Sequence, residues 1–147
     1  MFFDDFKIGY EVEIPEAVID KDEMLDFARK YDNIPLHTDE EYAKSTPFRK
    51  LIAPGVMSFM AVWAKYLEID LFADELIAGK STKIEWYKPV FPGDKLTSKV
   101  VVTNLVKRNE RNGIVELTLH IYNQDGVKVM TDITEAVVKC KQRWKYV

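Results

Sequence analysis

The sequence predicts an α+β fold in which one antiparallel sheet is covered by one apolar helix, and three observations carry that prediction. From residue 114 to 122, IVELTLHIY alternates: Val115, Leu117, Leu119 and Ile121 fall on one face, and Glu116, Thr118, His120 and Tyr122 on the other. That period-two pattern belongs to a half-buried antiparallel strand. Long strand-like runs flank it, KLTSKVVVTNLV before the turn signal RNERNG and VKVMTDITEAVVKC after QDG, so the three read as a meander. Finally, VMSFMAVWAKYL offers only Ser58 and Lys65 as clearly polar positions. A helix apolar around most of its circumference belongs inside something, and the apolar face of a sheet is the obvious partner.

The elements follow in chain order. The N-terminal segment supplies one strand. Asp20 followed by Glu23 has the spacing of a capping box, and Met24, Phe27, Ala28 and Tyr31 recur at helical intervals, which predicts an amphipathic helix over 21–31 that ends before Pro35. Asp39 is placed to cap the short stretch DEEYAKS. Pro54-Gly55 opens the apolar helix over 55–67, where Phe59, Met60 and Trp63 are expected in the core, some of them able to line a tunnel. A further strand is expected near 81–88, and KPVFPGD, residues 88–94, is a turn cluster before the meander. GDK at 93–95 lacks the glycines and length of a phosphate loop. KRNER reads as a solvated hairpin tip, and His120 as a polar-face residue for solvent or a subunit contact.

Composition bounds the function. A chain of 147 residues, 47% hydrophobic and 31% charged, can bury one sizeable core, which predicts a single domain over 1–147. A net charge of −3 from interspersed acids and bases argues against nucleic-acid binding. The apolar run from Leu51 to Ala64 is too short to span a bilayer and contains Pro and Gly, so no membrane segment is expected. MFFDDFKIGY has aspartates where an export signal needs a basic and then an apolar region, which makes the cytoplasm the expected location. The single cysteine, Cys140, has no cysteine neighbour at metal-ligand spacing and reads as a small core hydrophobe.

The chemistry concentrates in YDNIPLHTD, residues 31–39. A carboxylate and an imidazole that face one side of a substrate can share a water and serve as general acid and base. Separated by a proline bend, Asp32 and His37 can converge, whereas neighbours on a regular strand would alternate faces. Spacing alone leaves a second reading open, a helix-end cap beside a solvated imidazole. Gly55, at a helix start, exposes a backbone N–H that a carbonyl can approach closely because no side chain intervenes.

Three segments in order resemble a known family. YDNIPLHTDEEYA places Asp32, Pro35, Leu36, His37 and Ala43 on the hydratase motif of the MaoC-like dehydratases and (R)-specific enoyl-CoA hydratases, and LIAPG and WYKPVFPGDKL are similar to two further family segments. DDFKIGY at the start fits as well. The resemblance covers nearly the whole chain and implies a hotdog fold, an antiparallel sheet wrapped around a long central helix. It implies hydration of an enoyl thioester or the reverse dehydration, with Asp32 and His37 on the water and the Gly55 N–H on the thioester carbonyl. The implied partner is an acyl-CoA or acyl-carrier-protein thioester, with no metal or redox cofactor, in at least a homodimer. Tyr31, Ile34, Pro54 and Ser58 are the expected substrate-binding positions around that triad.

Tyr31 stands where the family has a small residue before the aspartate, and Ile34 where it has an asparagine before the proline. Two alternatives therefore stay open: an acyl-CoA thioesterase, whose chemistry occurs on related folds, and a non-catalytic module that binds acyl thioesters or proteins.

Overall fold

A computed structural model describes residues 1–142. Strand β1 (Glu11–Val18) leads into α1 (Lys21–Tyr31), then α2 (Pro35–Thr38), α3 (Glu40–Lys44) and α4 (Gly55–Leu67). Four strands follow: β2 (Leu76–Trp86), β3 (Lys95–Lys107), β4 (Asn112–Tyr122) and β5 (Lys128–Lys139). They form one antiparallel sheet in the order β1-β3-β4-β5-β2. Its backbone packing against α4 is through β1 and β3.

The expected helices over 21–31 and 55–67 form with those bounds. Asp20 accepts from the Glu23 N–H at 2.9 Å, one half of the expected capping box, and Asp39 accepts from the Tyr42 N–H at 3.1 Å to cap α3. The strand expected near 81–88, β2, begins earlier, at Leu76, and stops at Trp86. Its first half, LIAGKS, lacks clean alternation, and a side-chain period cannot place a strand that neither face buries.

The core lies between sheet and helix. Val115, Leu117, Leu119 and Ile121 of β4 are fully buried, as their alternation predicts, together with Leu96, Val100 and Val102 of β3. Truncating Leu117 or Leu119 to alanine would cost about 2–5 kcal/mol through lost burial and the cavity left behind. On α4, Met57, Phe59, Val62 and Tyr66 are buried, whereas Val56, Met60 and Leu67 are about half exposed. Met60 is thus not core. One sheet covers one face of a helix, and the row Val56, Met60, Leu67 lies on the other.

The turn expected at 88–94 is built around Gly93, whose φ of 86° suits a residue without a Cβ. Its N–H donates to the Ile19 carbonyl at 2.7 Å, and Asp94 accepts from the Phe91 N–H at 2.9 Å. These bonds tie the loop to the start of α1 and place Val90 beside the Leu51–Ala53 segment, where the Ala53 N–H donates to the Val90 carbonyl at 2.7 Å.

The edge strand β2 is exposed on nearly every residue and pairs only with β5. A buried polar cluster helps hold it. Asp132 of β5 is fully buried, and the hydroxyls of Thr82 (β2) and Thr134 both hydrogen-bond with its carboxyl. The two hydroxyls also lie 2.9 Å from each other. Two hydroxyl hydrogens cannot serve three such contacts; when Asp132 is protonated, one hydroxyl accepts from its carboxyl and donates to the other hydroxyl, and all three are satisfied. Burial acts in the same direction, raising the Asp132 pKa against the lowering effect of the threonine hydroxyls.

Candidate active site

The site forms where α1 gives way to α2. Asp32 is the C-cap of α1, its N–H donating to the Ala28 carbonyl at 2.9 Å. The chain then turns through Asn33 and Ile34, and Pro35 opens α2 at a position that needs no N–H donor. Two residues on, His37 is buried in the single turn of α2. Its Nε2 lies 3.3 Å from Asp32 Oδ2, so the proline-containing bend does bring the two side chains together.

The other ring nitrogen fixes the tautomer. His37 Nδ1 lies 2.7 Å from the Ile52 carbonyl oxygen, which can only accept, so the proton sits on Nδ1. In the neutral form of the ring, Nε2 then presents its lone pair toward the Asp32 carboxylate. Two acceptors at that separation have no hydrogen to share between them, and a water can donate one hydrogen to each.

Asp32 and His37 line a cavity of about 500 Å³ with Gly55, Ser58, Phe48, Val56 and Trp86 among its walls. Gly55 is the first residue of α4, where backbone N–H groups lack helical partners, and among the described residues no backbone acceptor takes its N–H. The Pro54 carbonyl belongs to the same amide and accepts from the Ser58 N–H at 3.0 Å, which polarises that amide and strengthens Gly55 as a donor. Ser58 is fully buried, and its hydroxyl donates to the Gly55 carbonyl at 2.9 Å.

Trp86, at the end of β2, carries no spacing signal in the sequence. Its indole Nε1–H donates to the Gly55 carbonyl at 3.0 Å. A Cβ built on Gly55 would lie 2.5 Å from indole Cε2, so only glycine fits beneath the ring. Trp86 thereby holds the first turn of α4 and walls the cavity at once. The only hint of it is that it opens the segment WYKPVFPGDKL.

Ser58 stands in the cavity wall, but Tyr31, Ile34 and Pro54 are not among its lining residues. Tyr31 is 67% exposed and packs on the Phe27 ring. Ile34 is the N-cap of α2 and makes no side-chain cap bond, while its carbonyl accepts from the His37 N–H at 3.0 Å. Pro54 acts through its carbonyl. His120 lies away from this cavity; Lys128 Nζ is 2.9 Å from its Nδ1, and burial first, then Lys128 and Lys99, lowers its pKa. Among the described residues no three His, Cys, Asp or Glu side chains are grouped so as to hold a metal ion, and no helix is long and apolar enough to cross a membrane.

The family described as MaoC like domain matches residues 5–123, which include every residue of this cavity. The chain belongs to that family. As a MaoC-like protein it is 34% identical over 106 residues to an (R)-specific enoyl-CoA hydratase of Aeromonas caviae, covering 71% of this chain and 73% of the relative. It is 30% identical over 140 residues to the uncharacterized protein YdeM of Bacillus subtilis, covering 95% and 99%. Among solved structures, a MaoC-like dehydratase of Rhodospirillum rubrum superposes with a TM-score of 0.87 at 25% identity, covering 97% of this chain and 99% of that one. The fold is the hotdog of that family.

Proposed function

We propose that this MaoC-like chain adds water to a trans-2-enoyl thioester, or removes it from the 3-hydroxyacyl thioester. The observation that carries the reading is the fixed tautomer of His37, which leaves Nε2 and the Asp32 carboxylate as paired acceptors on a cavity that also presents the Gly55 N–H. Supporting it, the relative from Aeromonas caviae is named as a hydratase of this kind.

In this mechanism a water donates one hydrogen to His37 Nε2 and the other to Asp32. Its oxygen bonds to the third carbon as one of the two acceptors takes the proton, and the π electrons move toward the thioester carbonyl. The developing enolate oxygen accepts from the Gly55 N–H, whose position is fixed before reaction and needs no reorganisation. The captured proton then passes to the second carbon, so hydrogen and hydroxyl add from the side the pair occupies and both groups return to their starting state.

The working unit in this reading is a homodimer. An 11-residue edge strand exposed on nearly every residue, beside the half-exposed row Val56, Met60 and Leu67 of α4, leaves an edge and a face that a second copy can cover. Light scattering should give a mass near twice 17.1 kDa, and a mass near 17.1 kDa at micromolar concentration would remove the dimer.

The deciding experiment supplies a short trans-2-enoyl-CoA. Enzyme-dependent loss of the conjugated absorbance, with no thiol released to a colorimetric reagent and a hydroxyl of R configuration on the third carbon, is the expected result. Thiol release matching substrate loss would make the protein a thioesterase. Binding without turnover across short, medium and branched enoyl thioesters would make it a non-catalytic module.

A further inference from the structure

A second cavity lies at the far end of α4. It has a volume of about 160 Å³ and is walled by Trp63 and Tyr66 of the helix, Leu71 and Phe72 of the loop that follows, Leu117 of β4 and Ala136 of β5. None of its lining residues lines the catalytic cavity. On the same helix Tyr66 lies beyond Gly55 by about 16 Å along the axis. Between them the rings of Phe59, Trp63 and Tyr66 form a row of tilted contacts, with centroids 5.7 and 4.6 Å apart.

One polar group in this cavity has no use inside the protein. Tyr66 is 4% exposed, and among the described residues its hydroxyl has no hydrogen-bond partner. The wholly enclosed unpaired oxygens are those of Ser98, Asn112 and Thr131, so the Tyr66 oxygen opens onto free space, and the cavity is the space its ring borders. Burial raises the Tyr66 pKa, which keeps the hydroxyl protonated and able to donate at neutral pH. Thr134, the other hydroxyl in the wall, already hydrogen-bonds with Asp132, and Asp70, the one charged residue there, is exposed. A water held in such a space needs at least about two polar partners, and the buried part offers one.

The loop that closes the cavity is held in an uncommon shape. Asp70 at φ 52° and Ala73 at φ 50° both take the left-handed conformation, which a residue with a Cβ keeps only where its surroundings impose it. Leu71 and Phe72 between them are buried, so the two left-handed residues turn two apolar side chains into the wall. The space they help enclose has the size of one small ring: an apolar cavity of roughly 150 Å³ stays dry and takes up benzene.

We propose that this cavity is a second binding site, separate from the catalytic one, for a small uncharged molecule: a single ring or short branched chain, apolar except for one acceptor oxygen that takes the hydrogen of the Tyr66 hydroxyl. A cyclic ketone has that chemistry. The occupant is a molecule of its own and not the far end of an acyl group, because the row of Phe59, Trp63 and Tyr66 stands between the two cavities. The site stands whether or not the chain is a hydratase.

The test titrates the full chain with cyclohexanone and with methylcyclohexane, rings of similar size of which only the first carries an acceptor, and follows methyl NMR signals. Cyclohexanone should shift the methyls of Leu71, Leu117 and Ala136 in a saturable way and leave in place those of Ile52, Val56 and Val90, which line the catalytic cavity. Tyr66→Phe keeps the ring and deletes the hydroxyl. It should weaken cyclohexanone binding by about three- to tenfold, the worth of one neutral hydrogen bond, and methylcyclohexane binding by less than about twofold. Gly79→Leu, where an added Cβ meets no atom within 4 Å, and Ala136→Leu should fill the space and remove binding of both probes. No saturable shift with either probe, equal losses for both or no loss in Tyr66→Phe, shifts at the catalytic-cavity methyls instead, or undiminished binding in both filled variants would each overturn the proposal.

Discussion

The two arms of the site are built in opposite ways. Asp32 and His37 come from six consecutive residues, held by one helix end, one proline and one helical turn, and a single long-range bond to Ile52 fixes the imidazole. Gly55 and Trp86 are separated by 31 residues and belong to a buried helix and an exposed edge strand. The first arm is a product of local chain geometry. The second exists only when β2 is zipped onto β5, so it should respond to perturbations of the sheet that leave the first untouched.

The largest expected effect is on the local arm. Asp32→Asn and His37→Ala should each lower turnover of an enoyl thioester by about 10²-fold or more, the range for lost acid-base catalysis. Both variants should keep the far-ultraviolet circular dichroism of the parent. Near-parental turnover in either would remove the proposed mechanism, and unfolding of both would make the pair structural.

The long-range arm should fail differently. In Gly55→Ala the new methyl would lie 2.5 Å from the Trp86 ring, so the ring or the helix turn must move. Turnover should fall by at least about tenfold, toward the cost of one lost oxyanion donor. Trp86→Phe deletes the indole N–H and should cost about two- to tenfold in kcat, the worth of one neutral hydrogen bond. In a Trp86→Ala background the Gly55→Ala change should cost much less than it does alone, because the steric partner is gone. Additive losses in that cycle would mean that Trp86 does not position Gly55.

A milder perturbation reaches β2 alone. Asp132 has its folded-state pKa raised by burial, so the folded protein holds a proton there that the unfolded chain releases near its ordinary 3.8. Its stabilising contribution is complete below that value and is lost as pH rises through the folded-state pKa, the reverse of the usual salt-bridged carboxylate. Asp132→Asn cannot titrate. The difference in Tm between wild type and variant should therefore shift against the wild type as pH rises from 4, and a pH-independent difference would mean that Asp132 is ionised in the fold.

The smallest effect should come from Ile34→Asn. Ile34 is an N-cap with no side-chain bond, and an asparagine there can accept a backbone N–H in the first turn of α2. A gain of about 0.5–1 kcal/mol is expected from the cap, read as a small rise in Tm. A fall in Tm would show that the exposed isoleucine already contributes more than a cap would.

How much of this was legible beforehand depended on the distance over which each feature is decided. The bounds of α1 and α4 followed from caps, proline and apolar spacing, and the buried face of β4 from its alternation, because a side-chain period reports burial wherever one face is covered. The convergence of Asp32 and His37 followed from the proline between them. The start of β2 did not, since neither of its faces is buried, nor did the exposure of Met60, since an almost uniformly apolar helix does not say which side the sheet will take. Sequence by itself put Asp32 and His37 forward as a pair that can converge and carried the family resemblance. Only the tertiary structure decided that His37 donates to Ile52, that Trp86 closes over Gly55 and that Tyr66 shares a cavity with Leu117 and Ala136. Each of those contacts joins segments whose separation along the chain is fixed by how the sheet pairs and where the helix lies on it, and no local pattern encodes that distance.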